Sequence, residues 1–182
     1  MQVHLNNFNN SWYDPGRGFA LRVLWHIVNA LLMQNPLNPS SGLKVIALRM
    51  FGAKIGKGVV LKPGINVKYP WNLEIGNYSW VGERAWLDSL APIAIGDNAC
   101  ISQGTYFCTG NHDWTDRAFG LVVKPIVIKD GVWVGARSIV LPGVTMASHS
   151  ILTAGSVMAR DGEPYSIYAG NPAVNVKARK IK

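Results

Sequence analysis

Acidic residues are scarce in this chain. Only 10 Asp and Glu face 18 Lys and Arg, and charged side chains make up just 15% of the 182 residues, for a formal net charge of +8. Such an imbalance favours an anionic partner, whether nucleic acid, phospholipid headgroups or a phosphorylated cofactor. The positive charge is spread along the chain and gathers only at its C-terminal end, which disfavours a nucleic-acid groove. Cysteine is nearly absent as well. Cys100 and Cys108 cannot build a disulfide framework and lack the paired spacing of a zinc site, so a reducing cytoplasm is expected. The apolar stretch FALRVLWHIVNALLM, residues 19–33, falls about five residues short of the roughly 20 that span a bilayer. MQVHLNNFNNSWYDPGRG before it has no basic segment leading into an apolar one, so no secretion signal is expected.

Glycine is plentiful, with 19 residues, and a hydrophobic content of 48% suffices for one domain with a substantial core. Residues 19–33 read as a buried or interfacial helix. NPLNPSSG breaks it, Ser40 or Ser41 can cap a second helix, and Gly52 stops that one. In the second helix Leu43, Ile46, Ala47 and Met50 follow the i, i+3, i+4, i+7 stripe of a packing face.

From Ile55 the period becomes six. Ile55, Leu61, Val67, Ile75, Val81, Leu87, Ile95, Ile101, Phe107, Ile128, Val134, Val140, Met146, Leu152 and Met158 are all apolar, a run that a 48% background produces with a probability of about 10⁻⁵. Four places on, residues are mostly small or β-branched, and one place on they are often glycine, which would relieve a bend. One large and one small inward residue per hexad fits a short strand and a sharp turn, three to a triangular coil. The extra residues at 73–74, 93–94 and 113–127 fall after whole coils, so all insertions should leave one corner. Five coils at about 4.8 Å would make a prism roughly 24 Å tall, with open ends that need covering. The expected organisation is an N-terminal extension and helical cap at 1–54, a repeat at 55–163 with a loop at 113–127, and a basic tail at 164–182. Trp80, Trp86, Tyr106 and Trp133 fall at positions that should face outward, as subunit contacts or a sugar platform.

The motifs YPWNLEIGNYSWVGERAWLDSL, ISQGTYFCTGNHDW, PIVIKDGVWVGARSIVLPGVTM and YAGNPA resemble the hexapeptide-repeat acyltransferases over about residues 52–175. Within that family they are most similar to the colanic-acid-type exopolysaccharide O-acetyltransferases and the maltose/galactoside group. The resemblance implies an all-β fold, a left-handed parallel β-helix. It also implies a homotrimer with active sites between prisms, acetyl-CoA as acyl donor and a sugar hydroxyl as acceptor. An alcohol needs a base to take its proton as it attacks a thioester, and histidine, with an ordinary pKa near 6.5, suits that role. The resemblance, through TGNHDW, implies that this base is His112. Glu83, Asp88 and Asp113 stand where the acceptor would be held, although the family's acceptor-binding asparagine falls near Gly82 here. Trp133, Gly135, Ala136 and Ala154 would line the pantetheine arm. Arg160, Lys177 and Arg179, with Lys180 and Lys182, would meet the nucleotide phosphates. His149, at a corner, and His4 and His26, outside the prism, have no neighbouring ligand, so no metal is expected. N-acyl transfer to an amino sugar or antibiotic, and a non-catalytic β-helix scaffold, are the competing readings. Apolar surface beside Arg17, Arg22, Lys44, Arg49 and Lys54, with no acidic residue in 17–51, also has the composition of a segment resting on anionic membrane. A lipid-linked acceptor at the cytoplasmic face of an inner membrane would suit it.

Overall fold

A hexad that sends one large and one small side chain to the same side can bury both only if the chain turns after every short strand. The computed structural model describes residues 2–181 and has that winding. The first coil holds β1 (Lys54–Ile55), β2 (Val60–Leu61) and β3 (Asn66–Val67). The second holds β4 (Leu73–Ile75), β5 (Trp80–Val81) and β6 (Trp86–Asp88), and the third β7 (Ile93–Ile95), β8 (Cys100–Ile101) and β9 (Tyr106–Cys108). A hairpin of β10 (Gly110–His112) and β11 (Leu121–Val123) then leaves the prism. The fourth coil is β12 (Ile126–Ile128), β13 (Trp133–Val134) and β14 (Ile139–Val140), and the fifth β15 (Thr145–Met146), β16 (Ile151–Leu152) and β17 (Val157–Met158). β18 (Ser166–Gly170) and β19 (Ala173–Ala178) close the chain.

Strands stack in parallel into three faces: β1-β4-β7-β12-β15, β2-β5-β8-β13-β16-β18 and β3-β6-β9-β14-β17, with β19 antiparallel on the edge of the second. Every one of the large hexad residues from Ile55 to Met158 is buried, and so are the small residues four places after them. Three of the polar small residues turn their hydroxyls to backbone: Ser79 Oγ donates to Gly96 O at 2.7 Å, Thr105 Oγ1 to Ser102 O at 2.8 Å and Ser138 Oγ to Thr153 O at 2.9 Å, whereas Ser150 Oγ is buried without a partner. Such pairing makes a buried hydroxyl tolerable.

The glycines that follow the large residues serve close approach. A Cβ on Gly135 would lie 2.5 Å from Ala154 N and 2.7 Å from Leu152 O, backbone atoms of the next coil. The left-handed turn position lies two residues further on. Gly104 occupies it in one turn (φ +67°), but Arg84, Asn98 and Arg137 do so in others. The bend therefore tolerates side chains, and the coil spacing does not.

The open end of the first coil is an unpaired strand edge, and side chains of α1 (Phe19–Val28) and α2 (Ser41–Met50) satisfy it. Trp25 Nε1 donates to Val67 O at 2.9 Å, and Asn29 Oδ1 accepts from Val67 N. Ser41 Oγ accepts from Leu61 N at 2.8 Å, Lys44 Nζ reaches Asn38 O and Leu61 O, and Arg49 Nη2 donates to Ile55 O. Ser40 caps α2 by accepting from Leu43 N. The packing face of α2 is consequently Lys44, Ala47 and Leu48, whereas Leu43, Ile46 and Met50 of the expected stripe point outward, Met50 at 78% exposure. Only hydrogen-bonding side chains can answer the bare carbonyls of β1 and β2, so the edge overrides the apolar stripe. Burial pushes the Lys44 ammonium below the usual lysine range.

All insertions leave the corner between the third and first faces: the turn Pro70–Asn72, residues 89–92 and the β10–β11 hairpin. Outside, the second face carries a column of Val60, Trp80, Cys100, Trp133, Ile151 and Ile167 in register. The third face stacks Trp86 on Tyr106 with ring centroids 4.6 Å apart.

Candidate active site

At the end of β9 the buried Thr109 anchors the hairpin, its Oγ1 donating to Asp88 O and accepting from Ala91 N. The chain then turns outward, and β10 pairs with β11 so that His112 lies opposite Leu121. The imidazole is tightly placed. Its face stacks on Phe119 at 4.5 Å and 11°, Phe8 packs edge-on at 5.7 Å, and Nδ1 is 2.8 Å from Phe119 O. A carbonyl only accepts, so Nδ1 carries the hydrogen, and the lone pair of the neutral ring belongs to Nε2. His112 borders a groove of ≈ 330 Å³ with Asn111, Trp114, Lys124, Leu141 and Ala159.

Asp113 and Asp116 close the hairpin tip. Asp113 Oδ1 accepts from Thr115 N and Oγ1, which hold its carboxyl below the usual range, and Asp116 accepts from Ala118 N and Gly120 N. Asp88 lies one coil before, in register with Cys108 on the third face. It is 9% exposed; burial raises its carboxyl pKa, while Lys68 and a 3.3 Å hydrogen bond from Tyr106 OH oppose that rise. Asp88 thus belongs to the corner of His112. Glu83 does not. It lies in the turn between the second and third faces, in a separate groove with Lys62, Trp80, Ser102 and Gln103.

Gly135, Ala136 and Ala154 occupy that same far corner, two and three coils beyond Glu83, and Gly155 N donates to Ala136 O at 2.8 Å. Trp133 stands half-exposed beside them, its Nε1 donating to Ser102 Oγ at 2.9 Å. The basic residues divide. Arg160 follows Ala159 on the His112 side. Lys177 and Lys180 border a groove over Ile151 and Ile167 at the end of the second face. Arg179 Nη1 donates to Gly131 O at 2.9 Å and His149 O at 3.0 Å, so this guanidinium staples the last segment to two coils. Lys182 lies outside the described residues. The basic tail is therefore an edge strand, β19, bearing Lys177, with Lys180 just beyond its end.

In one chain, then, His112 and Asp88 share one corner, while Glu83 and the expected cofactor wall share another. No family model matches the chain. Its relatives are informative: WcaF of Escherichia coli (strain K12), named as a colanic acid biosynthesis acetyltransferase, is 37% identical over 163 residues, 89% of this chain and 90% of that protein. The chain belongs to the hexapeptide-repeat acetyltransferase family. A hexapeptide-repeat acetyltransferase of Vibrio cholerae, solved in complex with acetyl coenzyme A, superposes with a TM-score of 0.80 at 26% identity, over 89% of this chain and 88% of that one. The galactoside O-acetyltransferase of Escherichia coli is 28% identical over 123 residues, 66% of this chain and 61% of that protein.

Sequence reasoning did not find the groups that hold the acetyltransferase's histidine. Phe8 arrives from an N-terminal arm whose His4 N donates to Arg117 O at 2.9 Å, more than a hundred positions away, and no local pattern announces it. Phe119 was in view as part of the loop, but its stacking depends on the hairpin register.

Proposed function

We propose that the protein is an O-acetyltransferase that moves the acetyl group of acetyl-CoA to a sugar hydroxyl, in the assembly of a surface polysaccharide. The observation that carries this reading is His112, with Nδ1–H fixed on Phe119 O and Nε2 left as the basic nitrogen at an open groove. Nε2 accepts the hydroxyl proton as the acceptor oxygen attacks, and returns it to the leaving sulfur. The Phe119 carbonyl and ring face stabilise the imidazolium in between. Acetyl-CoA, when bound, supplies the activated acetyl thioester. Gly135, Ala136 and Ala154 offer it close backbone approach, Trp133 an apolar wall, and Lys177 and Lys180, with Arg160, cations for its phosphates. Asp88 is placed to hold the acceptor. The test is a screen with radiolabelled acetyl-CoA against sugars and amino sugars, with His112→Asn as blank. Label appearing only on amines would replace O-transfer with N-transfer.

Lys177→Gln with Lys180→Gln is expected to raise the KM for acetyl-CoA several-fold at low ionic strength and to flatten its salt dependence, because these side chains supply charge alone. An unchanged KM at low salt would remove them from the site. The separation of His112 from the cofactor wall supports a homotrimer in which the wall of one prism faces His112 of the next, with the aromatic columns of the second and third faces between them. Light scattering at three chain masses is expected; full activity at the mass of one chain would overturn the arrangement.

The caps support a place at the cytoplasmic face of an inner membrane. No helix among the described residues is long and apolar enough to cross a membrane. Yet Phe19, Leu24, Ile27, Leu31, Ile46 and Met50 are exposed on α1, α2 and their connection. Lys44 and Arg49 face inward, and Lys54 pairs with Glu74, so the contact rests mainly on apolar area, with the exposed Arg17 as a cation beside it. Wild type should float with liposomes containing anionic lipid, and Leu31→Gln/Ile46→Gln/Met50→Gln should not. Equal flotation, or none in wild type, means the helices are only a lid.

A further inference from the structure

Another cleft opens behind the hairpin. The N-terminal arm, α1 and the first insertion enclose a space of ≈ 520 Å³ lined by Phe8, Tyr13, Arg22, Lys68, Tyr69 and Leu121. A neighbouring hollow of ≈ 370 Å³ shares Arg22, Lys68 and Tyr69 and extends to Trp86. The three shared residues therefore form a continuous wall. At its inner end the cleft touches the catalytic corner, since Leu121 is the cross-strand partner of His112 and Phe8 packs on the imidazole.

The cations of this wall lack anions. Arg22 Nε is buried with no hydrogen-bond partner, and its guanidinium has only the Phe19 ring, 5.8 Å away. Lys68 makes no ion pair; among the described residues the only one joins Lys54 and Glu74. Asp88, a carboxylate on which Lys68 acts, accepts from Tyr106, and burial disfavours its charge. From residue 15 to residue 73 the chain contains no Asp or Glu. A buried guanidinium N–H without an acceptor is unfavourable unless a ligand completes it, and two cations in a cleft select a multiply charged oxyanion. A free neutral sugar has no use for them. A sugar joined to its carrier through phosphate does.

We infer that the Arg22–Lys68 cleft is a phosphate subsite, which holds the phosphoryl group linking the acceptor sugar to its carrier while the sugar's hydroxyl reaches His112. This rests on the reading of the site as a sugar acetyltransferase. It assigns the cleft to the acceptor because the cleft reaches the His112 corner from the side of the N-terminal arm, whereas the proposed donor phosphates meet Lys177 and Lys180 at the end of the second face.

The experiment has two arms on the full-length protein. In the first, inorganic pyrophosphate is titrated calorimetrically into wild type, Arg22→Gln, Lys68→Gln and the control Lys129→Gln, whose side chain is exposed elsewhere. Arg22→Gln and Lys68→Gln should each weaken binding at least tenfold, with Lys129→Gln unchanged. In the second, acetylation of one sugar is compared as its uridine diphosphate conjugate, its polyprenyl diphosphate conjugate and its methyl glycoside. Preference for phosphate-linked forms over the glycoside should fall at least tenfold in Lys68→Gln, and the better of the two conjugates identifies a nucleotide or lipid carrier. Lys68 makes no side-chain hydrogen bond, so its replacement should leave the thermal midpoint in place even if Arg22→Gln fails to fold. Equal loss in Lys129→Gln, or acetylation indifferent to phosphate, would overturn the subsite while leaving the acetyltransferase reading intact. A matching rise in the KM for acetyl-CoA would give the cleft to the donor and also overturn it. Pyrophosphate binding lost as expected, with no sugar acetylated in any form, would uphold the anion site and sink the sugar reaction instead.

Discussion

Replacing His112 by alanine is expected to lower turnover by about 10²–10⁴-fold, the usual worth of a positioned general base. Alanine also removes the hydrogen bond to Phe119 O and the stacked ring, so loss of hairpin order could mimic loss of the base. His112→Asn separates the two. Its amide nitrogen lies near the place of Nδ1 and can still donate to Phe119 O, but nothing replaces Nε2. Both variants should lose turnover to a similar extent, and His112→Asn should keep the KM for acetyl-CoA close to wild type. If His112→Asn retained wild-type turnover, the imidazole would be a structural prop for the hairpin and the base would have to be sought elsewhere.

Phe107→Ala should give the largest loss of stability from any single truncation in the prism. Phe107 is the bulkiest inward hexad residue, fully buried on β9, with Leu87 and Val140 in register above and below it. Removing a buried phenyl ring from a close-packed interior costs about 3–5 kcal/mol, through lost transfer energy and the cavity that remains. For a chain of this size that corresponds to a thermal midpoint lower by roughly 10 °C. Thr109, two residues on, fastens the hairpin, so hydrogen exchange at β10 and β11 should quicken as well. A drop under about 1 kcal/mol, measured by urea unfolding monitored by circular dichroism, would mean the centre of the coil relaxes around the gap and is not close-packed.

The helical cap shows where local pattern stops being a guide. By spacing, Leu43, Ile46, Ala47 and Met50 make a sound packing stripe, and the opposite choice requires burying a lysine. The structure makes that choice because Lys44 Nζ meets Asn38 O and Leu61 O, while Ser41 and Arg49 serve other atoms of the same edge. A strand edge sets hydrogen-bonding demands that apolar periodicity does not register. The same limit applies to Glu83 and Asp88. They are five positions apart and look alike in sequence, but one turn of the coil sends them to different corners.

The amino-acid sequence by itself determined the period of the coil, its buried positions, the corner from which every insertion leaves and the place of His112 at the largest of them. All of these follow from local spacing, because which residues share a face of a short strand is decided within a few residues of each other. Only the tertiary structure decided which face of α2 turns inward, that Phe8 and Phe119 hold the imidazole, that Arg179 is a staple, and that Arg22 and Lys68 line one cleft without a salt-bridge partner. Those pairings join residues far apart along the chain, and they exist only because the stacked coils bring distant segments to one corner; no spacing within either segment encodes its partner.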